Sequence, residues 1–225
     1  MIKVNRSSVA PLSLAKGTYQ AKDVQEQLLL DFGGKCYLCE CHDLQSLVTE
    51  HLVAHHGDKV LMLDWNNLFL SCSHCNSVKN QRKYEHDIID CCHEEPEKLL
   101  NQTVDETTGE PLVEPIGDSL MAVNTANLLN DCFGKNNTPY RKAEAAAKVK
   151  AFKAVMNELY KKLLTFRHEN DDYRAVRGML DRRHPFAGFT RGYVRNHLGD
   201  YPELEECVKI ERSLFETYQE KNHEI

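Results

Sequence analysis

Apolar and polar residues alternate with a helical period along much of the second half of the chain. Between residues 141 and 166, Val149, Phe152, Met156, Leu159, Leu163 and Phe166 fall three and four apart, giving one apolar stripe that faces a core. Lys148, Lys150, Lys153, Lys161 and Lys162 lie largely off that stripe. Residues 119–133 also read as a helix, as do 171–183 and 187–198, with a break at Pro185. From residue 203 the tail reads as an acidic helix. Upstream, residues 21–32 place Val24, Leu28 and Phe32 at helical spacing, and Gly33-Gly34 ends that helix. Residues 1–20, with Pro11 and Gly17 among small polar side chains, read as an extended arm. Two short β-prone runs flank Thr107-Thr108-Gly109 and predict a hairpin. The remaining block, Cys36 to about Lys83, is compact and rich in Cys and His.

Composition narrows the class. The chain has 225 residues, 41% apolar and 28% charged, as expected of a folded globular protein. No apolar run approaches the ~18–20 residues of a membrane span. The N-terminus lacks the apolar stretch of an export signal, so the expected location is the cytoplasm. The nine cysteines are then expected as thiols or metal ligands rather than disulfides.

The net charge of −6 conceals blocks of opposite sign. Residues 85–118 hold 1 basic and 11 acidic side chains, whereas residues 135–195 hold 15 basic and 6 acidic. Residues 200–225 hold 3 basic and 8 acidic. The acidic block either meets a basic partner, covers the basic block, or forms a solvated insertion. Arg182, Arg183, Arg191 and Arg195 surround Phe186 and Phe189, which read as core rather than as base-stacking platforms.

Two C-x-x-C pairs, Cys36/Cys39 and Cys72/Cys75, stand 32 residues apart. Each pair places two thiolates on one side of an ion, and two pairs complete a tetrahedral structural zinc site. Cys41 and His74 lie inside the same knuckles as alternative ligands. Cys91, Cys92, Cys132 and Cys207 follow no pattern and read as free or buried thiols.

Between the pairs come Glu50-His51 and, further on, Trp65-Asn66-Asn67-Leu68 leading into Cys72; Cys75-Asn76 follows. A bare zinc ribbon needs none of these. The order Cys36, Cys39, Glu50-His51, Asn67-Leu68, Cys72, Cys75-Asn76 resembles the HNH nuclease motif, the ββα-metal fold. The match covers residues 36–79, about a fifth of the chain. The resemblance implies an α+β, mostly α protein with a zinc-stapled nuclease core and a larger helical C-terminal region. It divides the chain into an arm and helix at 1–35, the core at 36–84, an acidic insertion at 85–118 and a partner-binding helical region at 119–225.

The resemblance also implies roles. His51 is the general base, since imidazole titrates near neutrality. Glu50 and Asn76 hold a catalytic Mg²⁺ or Mn²⁺. Asn67 holds the loop and orients His51, while Asn66 reads as a turn residue. Lys79, Arg82 and Lys83 either meet the nucleic-acid backbone or complement a helix C-terminus. His55 either helps bind phosphate or is solvated beside His56.

More narrowly, the arm with Pro11, the Glu-His pair, Trp65-Asn66-Asn67-Leu68 and Cys75-Asn76-Ser77-Val78-Lys79 resemble nuclease subunits of Septu-type and retron-associated antiphage systems. That branch implies an ABC/SMC-like ATPase partner and, in retron-associated systems, a reverse transcriptase with its RNA–DNA hybrid. One departure is that Ala54-His55 stands where a Pro-Lys pair is usual, which leaves the cation of that loop open. The competing expectation is a non-catalytic zinc module that binds nucleic acid or a partner protein.

Overall fold

In the computed structural model, which describes residues 1–42, 46–135, 138–166 and 170–210, about half of the residues are helical. The described strands form two antiparallel hairpins, so the class is α+β.

The N-terminal arm is extended but not solvated. Met1 and Ile2 are buried, and Val4 N donates to Cys91 O at 2.9 Å. The Arg6 guanidinium lies 4.2 Å over the Trp65 ring, whose Nε1 donates to Ser7 O. One turn, α1 (Leu12–Ala15), precedes α2 (Lys22–Asp31). Val24, Leu28 and Phe32 are buried along one side of α2. Gly33 and Gly34, at φ +60° and +70°, take the left-handed backbone that ends it.

In the first hairpin, β1 (Leu47–His51) pairs with β2 (Leu68–Cys72) in a register that sets Leu47 opposite Cys72 and His51 opposite Leu68. A short α3 (Lys59–Leu63) and a 3₁₀ turn (Trp65–Asn67) join the strands. Helix α4 (Ser73–Lys79) starts where β2 ends and packs across both strands.

The acidic stretch holds α5 (Pro96–Leu99) and the second hairpin, β3 (Leu100–Val104) with β4 (Pro111–Pro115). Strand β4 packs on α6 (Leu120–Cys132). Next come α7 (Pro139–Leu164) and α8 (Asn170–Met179). After the break at Pro185, α9 (Ala187–Asn196) packs on β3. A close approach requires glycine here: a Cβ on Gly192 would sit 2.4 Å from Gln102 O. The last described elements are a 3₁₀ turn (Pro202–Leu204) and α10 (Glu205–Val208). The rest of the acidic helix expected from 203 lies outside the described residues beyond 210.

On α7 the expected stripe is buried at Phe152, Met156, Leu159 and Leu163, with Val149 and Phe166 half-buried. Lys148 is buried as well, although its spacing suggested an outer face. Phe186 and Phe189 are core, packed with Phe133 and Phe152 at ring distances of 4.9–6.5 Å. One apolar cluster runs from Met1 to Val208, so the four stretches read from sequence share a core.

The charge blocks answer each other inside the chain. Glu97, buried at the start of the acidic stretch, accepts from Arg191 Nε at 2.9 Å and also pairs with Arg195 and, at 3.7 Å, Arg182. Glu95 pairs with Arg182 at 3.4 Å. Among the described residues, no helix is long and apolar enough to cross a membrane.

Candidate functional site

Four cysteine sulfurs converge beneath the first hairpin. Cys36 and Cys39 lie in the turn after Gly34, Cys72 ends β2 and caps α4, and Cys75 sits in the first turn of α4. All four are buried, and their Sγ atoms lie within 4.8 Å of one another. A tetrahedral Zn²⁺ with bonds of about 2.3 Å requires sulfurs about 3.8 Å apart, so the donor set fits zinc in number, element and spacing. Burial alone would push the Cys39 thiol up, but its contacts with the neighbouring sulfurs bring it down to about 5. Burial would lower Lys148, yet the charge of these sulfurs raises it above the usual lysine range. Neither alternative ligand joins the set. Cys41 is buried outside it, and His74 is committed to Glu144 at 2.9 Å and to Cys132 O at 3.0 Å.

At the far end of β1, half-buried His51 lines a cleft of about 390 Å³ together with Ala54, His56, Lys79, Asn80 and Arg82. Its Nε2 lies 3.1 Å from Met62 O, and the Tyr19 ring packs edge-on at 4.8 Å. A carbonyl only accepts, so Nε2 carries the proton and Nδ1 is left as the ring's acceptor. Burial lowers the His51 pKa, the Met62 carbonyl opposes this, and the charges of His55 and Lys79 lower it further. The net effect favours the neutral imidazole.

Asn67 fixes the loop that supplies the Met62 carbonyl. Its amide donates to Val53 O at 2.9 Å and Leu61 O at 3.0 Å, and accepts from Val53 N at 2.7 Å. Asn66 occupies the turn, its backbone N–H bonded to the Asp64 side chain. The His55 ring lies 4.7 Å from that of His51, and its Nδ1 accepts from Gly57 N.

Glu50 points to the other face of β1, as strand alternation requires. There it is almost fully buried and meets the equally buried Lys79 Nζ at 2.9 Å. Lys79 Nζ also donates to His51 O at 3.1 Å. Burial raises the Glu50 pKa, and Lys79 acts to bring it back down. A hydrated Mg²⁺ or Mn²⁺ does not fit against Glu50 in this arrangement. The ammonium approaches only Oε1, and Oε2 has no hydrogen-bond partner among the described residues, but the carboxylate is buried and the ion's retained waters have no open approach. Asn76 is half-buried on α4, one turn before Lys79.

Of the cations expected to meet phosphate, Lys79 lies inside against Glu50, which is not the surface position that role needs. Lys83 is held by Asp131 at 2.5 Å. Arg82 is exposed on the cleft wall. The spacing Cys75, Val78, Lys79 is three and four residues, so the helical period already turns Lys79 inward. The Met62 carbonyl and Tyr19 carry no comparable signal, because each reaches His51 only through the folded loop or arm.

No family model, curated protein or solved structure matches this chain.

Proposed function

We propose that this protein is a zinc-stapled endonuclease of the HNH type that hydrolyses nucleic-acid phosphodiesters. One observation carries the reading. On a hairpin followed directly by a helix, His51 is half-buried in a cleft with Nε2 held by Met62 O, and Asn67 pins the same loop. That leaves a neutral imidazole with one free acceptor nitrogen, which is what a general base requires. Nδ1 takes a proton from water, the water oxygen attacks phosphorus, and the 3′ oxygen takes a proton from solvent water as its bond to phosphorus breaks. Arg82, on the same cleft wall, offsets the charge that builds on the phosphate. Zinc on Cys36, Cys39, Cys72 and Cys75 supplies folding energy and takes no part in the reaction.

The narrower resemblance supports a defence effector governed by an ATPase. Charge patterning argues less for that partner, because Glu95 and Glu97 of the acidic block are met by Arg182, Arg191 and Arg195 within the chain. Co-purification with the products of neighbouring genes tests the partner directly.

The second reading, a zinc module that binds without cutting, draws support from the Glu50–Lys79 pair, which seals off the expected ion ligand. Purified protein incubated with plasmid DNA, single-stranded DNA, RNA and transfer RNA, with and without Mg²⁺ or Mn²⁺, separates the two. The nuclease reading expects cleavage that His51→Ala reduces by about 10²–10⁴ while circular dichroism stays unchanged. Wild-type protein that binds but cuts none of these substrates establishes the second reading.

A further inference from the structure

A second basic cleft lies away from His51. It measures about 610 Å³ and is formed by the end of α6, the Gly134 turn and one face of α7. That volume falls within the usual range of ligand sites, about 300–1,000 Å³. Phe133, Ala146 and Val149 form an apolar floor, and Lys135, Lys142, Lys150 and Lys153 ring it. Lys142, Lys150 and Lys153 stand eight and three residues apart on α7, so they share one side of the helix. The acids of α7 turn elsewhere: Glu144 holds His74, and Glu158 holds Lys162 at 3.6 Å.

The second hairpin closes one end of this cleft. Lys153 donates to Thr108 O at 2.9 Å, Lys135 lies 3.9 Å from Asp105, and Glu110 joins the lining. Lys142 and Lys150 are exposed and have no anionic partner among the described residues. In the arginine cleft, by contrast, Arg182 and Arg191 are paired with Glu95 and Glu97.

We propose that this lysine cleft binds the phosphate backbone of a nucleic acid without reading its sequence. The proposal rests on the nucleic-acid reading above, whether or not the chain cuts. From Lys142 to Lys153 the stripe runs about 16 Å along the helix. One strand of a duplex presents about four to five phosphates over that rise. Lysines are point charges on flexible stems, suited to phosphates rather than to base edges. Among the described residues, no Asn or Gln lines the cleft. The stripe also starts beside the histidine cleft's own helix. Arg141 Nη2 donates to Ser77 O at 3.1 Å, and Ser77 lies on α4, which contributes Lys79 to that cleft.

The test uses the full chain as His51→Ala, so that probes stay intact. Labelled 20-nucleotide single-stranded DNA, duplex DNA and RNA are titrated by fluorescence anisotropy across a salt series. The double variant Lys142→Glu/Lys150→Glu is expected to weaken binding of at least one probe more than tenfold. Lys142→Gln/Lys150→Gln is expected to lower the slope of log K against log salt by about 1.5, the share of two phosphate contacts. Lys161→Glu/Lys162→Glu makes the same charge change outside the cleft and is expected to cost less than twofold. Equal losses in both glutamate doubles overturn the proposal, because any lysine would then do. Tripolyphosphate or poly-glutamate binding as tightly as the oligonucleotides also overturns it, in favour of a small polyphosphate or an acidic protein. Cleavage by wild type with lysine-independent binding removes the cleft and spares the nuclease. Lysine-dependent binding without cleavage removes the nuclease and spares the cleft.

Discussion

Lys79 and Glu50 meet at 2.9 Å with both side chains almost fully buried, and Lys79 also holds the carbonyl of His51. Removing one member of such a pair strands the other charge, which costs about 3–5 kcal/mol, whereas replacing both with apolar groups is often neutral. Lys79→Met is therefore expected to lower stability by about 3 kcal/mol, and adding Glu50→Leu to recover most of it. Urea denaturation checks both, and a double variant no more stable than the single one removes the pair's structural role. His51 yields a second expectation. Burial lowers its pKa from 6.5, so the unfolded chain takes up the proton first as pH falls. The stability that neutral His51 contributes is complete above 6.5 and declines as pH drops through the folded value. If His51 is the base, the acid limb of the cleavage rate lies below pH 6.5 in wild type. Asn67→Ala frees the loop carrying Met62 O, the carbonyl that raises the His51 pKa, and so is expected to move that limb downward and to slow cleavage; pH–rate profiles of the two proteins decide it. The cysteine pairs were legible because their spacing alone brings out the pattern, whereas His51 and Asn67 were singled out only through the resemblance. The Lys79–Glu50 pair was not legible: helical spacing turns Lys79 inward, but which residue it meets shows only when α4 is set against β1.

At the scale of elements, α2, α6, α7 and the second hairpin follow from local periodicity and turn residues. Their boundaries lie within a few residues of those expected. What local pattern does not carry is which faces meet. Helix α9 lies on β3 because Gly188 and Gly192, four residues apart, remove the side chains that would hold the two apart. Glu97 then reaches Arg191 across 94 positions of sequence, a pairing no local window contains. Because the atom facing Gly192 is the backbone oxygen of Gln102, nothing there can swing aside. Gly192→Ala is expected to cost about 1–3 kcal/mol, the usual range for overpacking. Gly178→Ala is the contrast. It lies in α8, and its added Cβ meets nothing within 4 Å. Relief of the glycine penalty in a helix is expected to raise stability by up to about 1 kcal/mol. Thermal melts should therefore move in opposite directions, and a neutral Gly192→Ala would show that α9 and β3 separate readily.

Across the whole molecule, the cysteine centre is not a detachable knuckle. Glu40, between Cys39 and Cys41, accepts from the buried Met1 amino nitrogen at 2.7 Å and from Gly188 N at the start of α9 at 3.2 Å. Lys35, just before Cys36, donates to Arg182 O and His184 O. The sulfurs themselves belong to the apolar cluster that includes Phe152, Phe189 and Val208. A structural zinc is worth about 10–16 kcal/mol in apparent binding free energy. A domain's total stability is about 5–15 kcal/mol. If zinc fills the site, its loss is large enough to unfold everything that shares the core, not the stretch 36–84 alone. Chelation of the purified protein is thus expected to release one zinc per chain and to abolish helical circular dichroism and buried Trp65 fluorescence in a single transition. Trp65 reports the hairpin side, whereas most of the helical signal comes from α6 to α9, so the two probes watch opposite ends of the chain. Coincident loss supports one cooperative unit. Loss of Trp65 burial with the helical signal retained would mean that the C-terminal helices stand without the metal, and that the contacts of Glu40 and Lys35 are too weak to couple them.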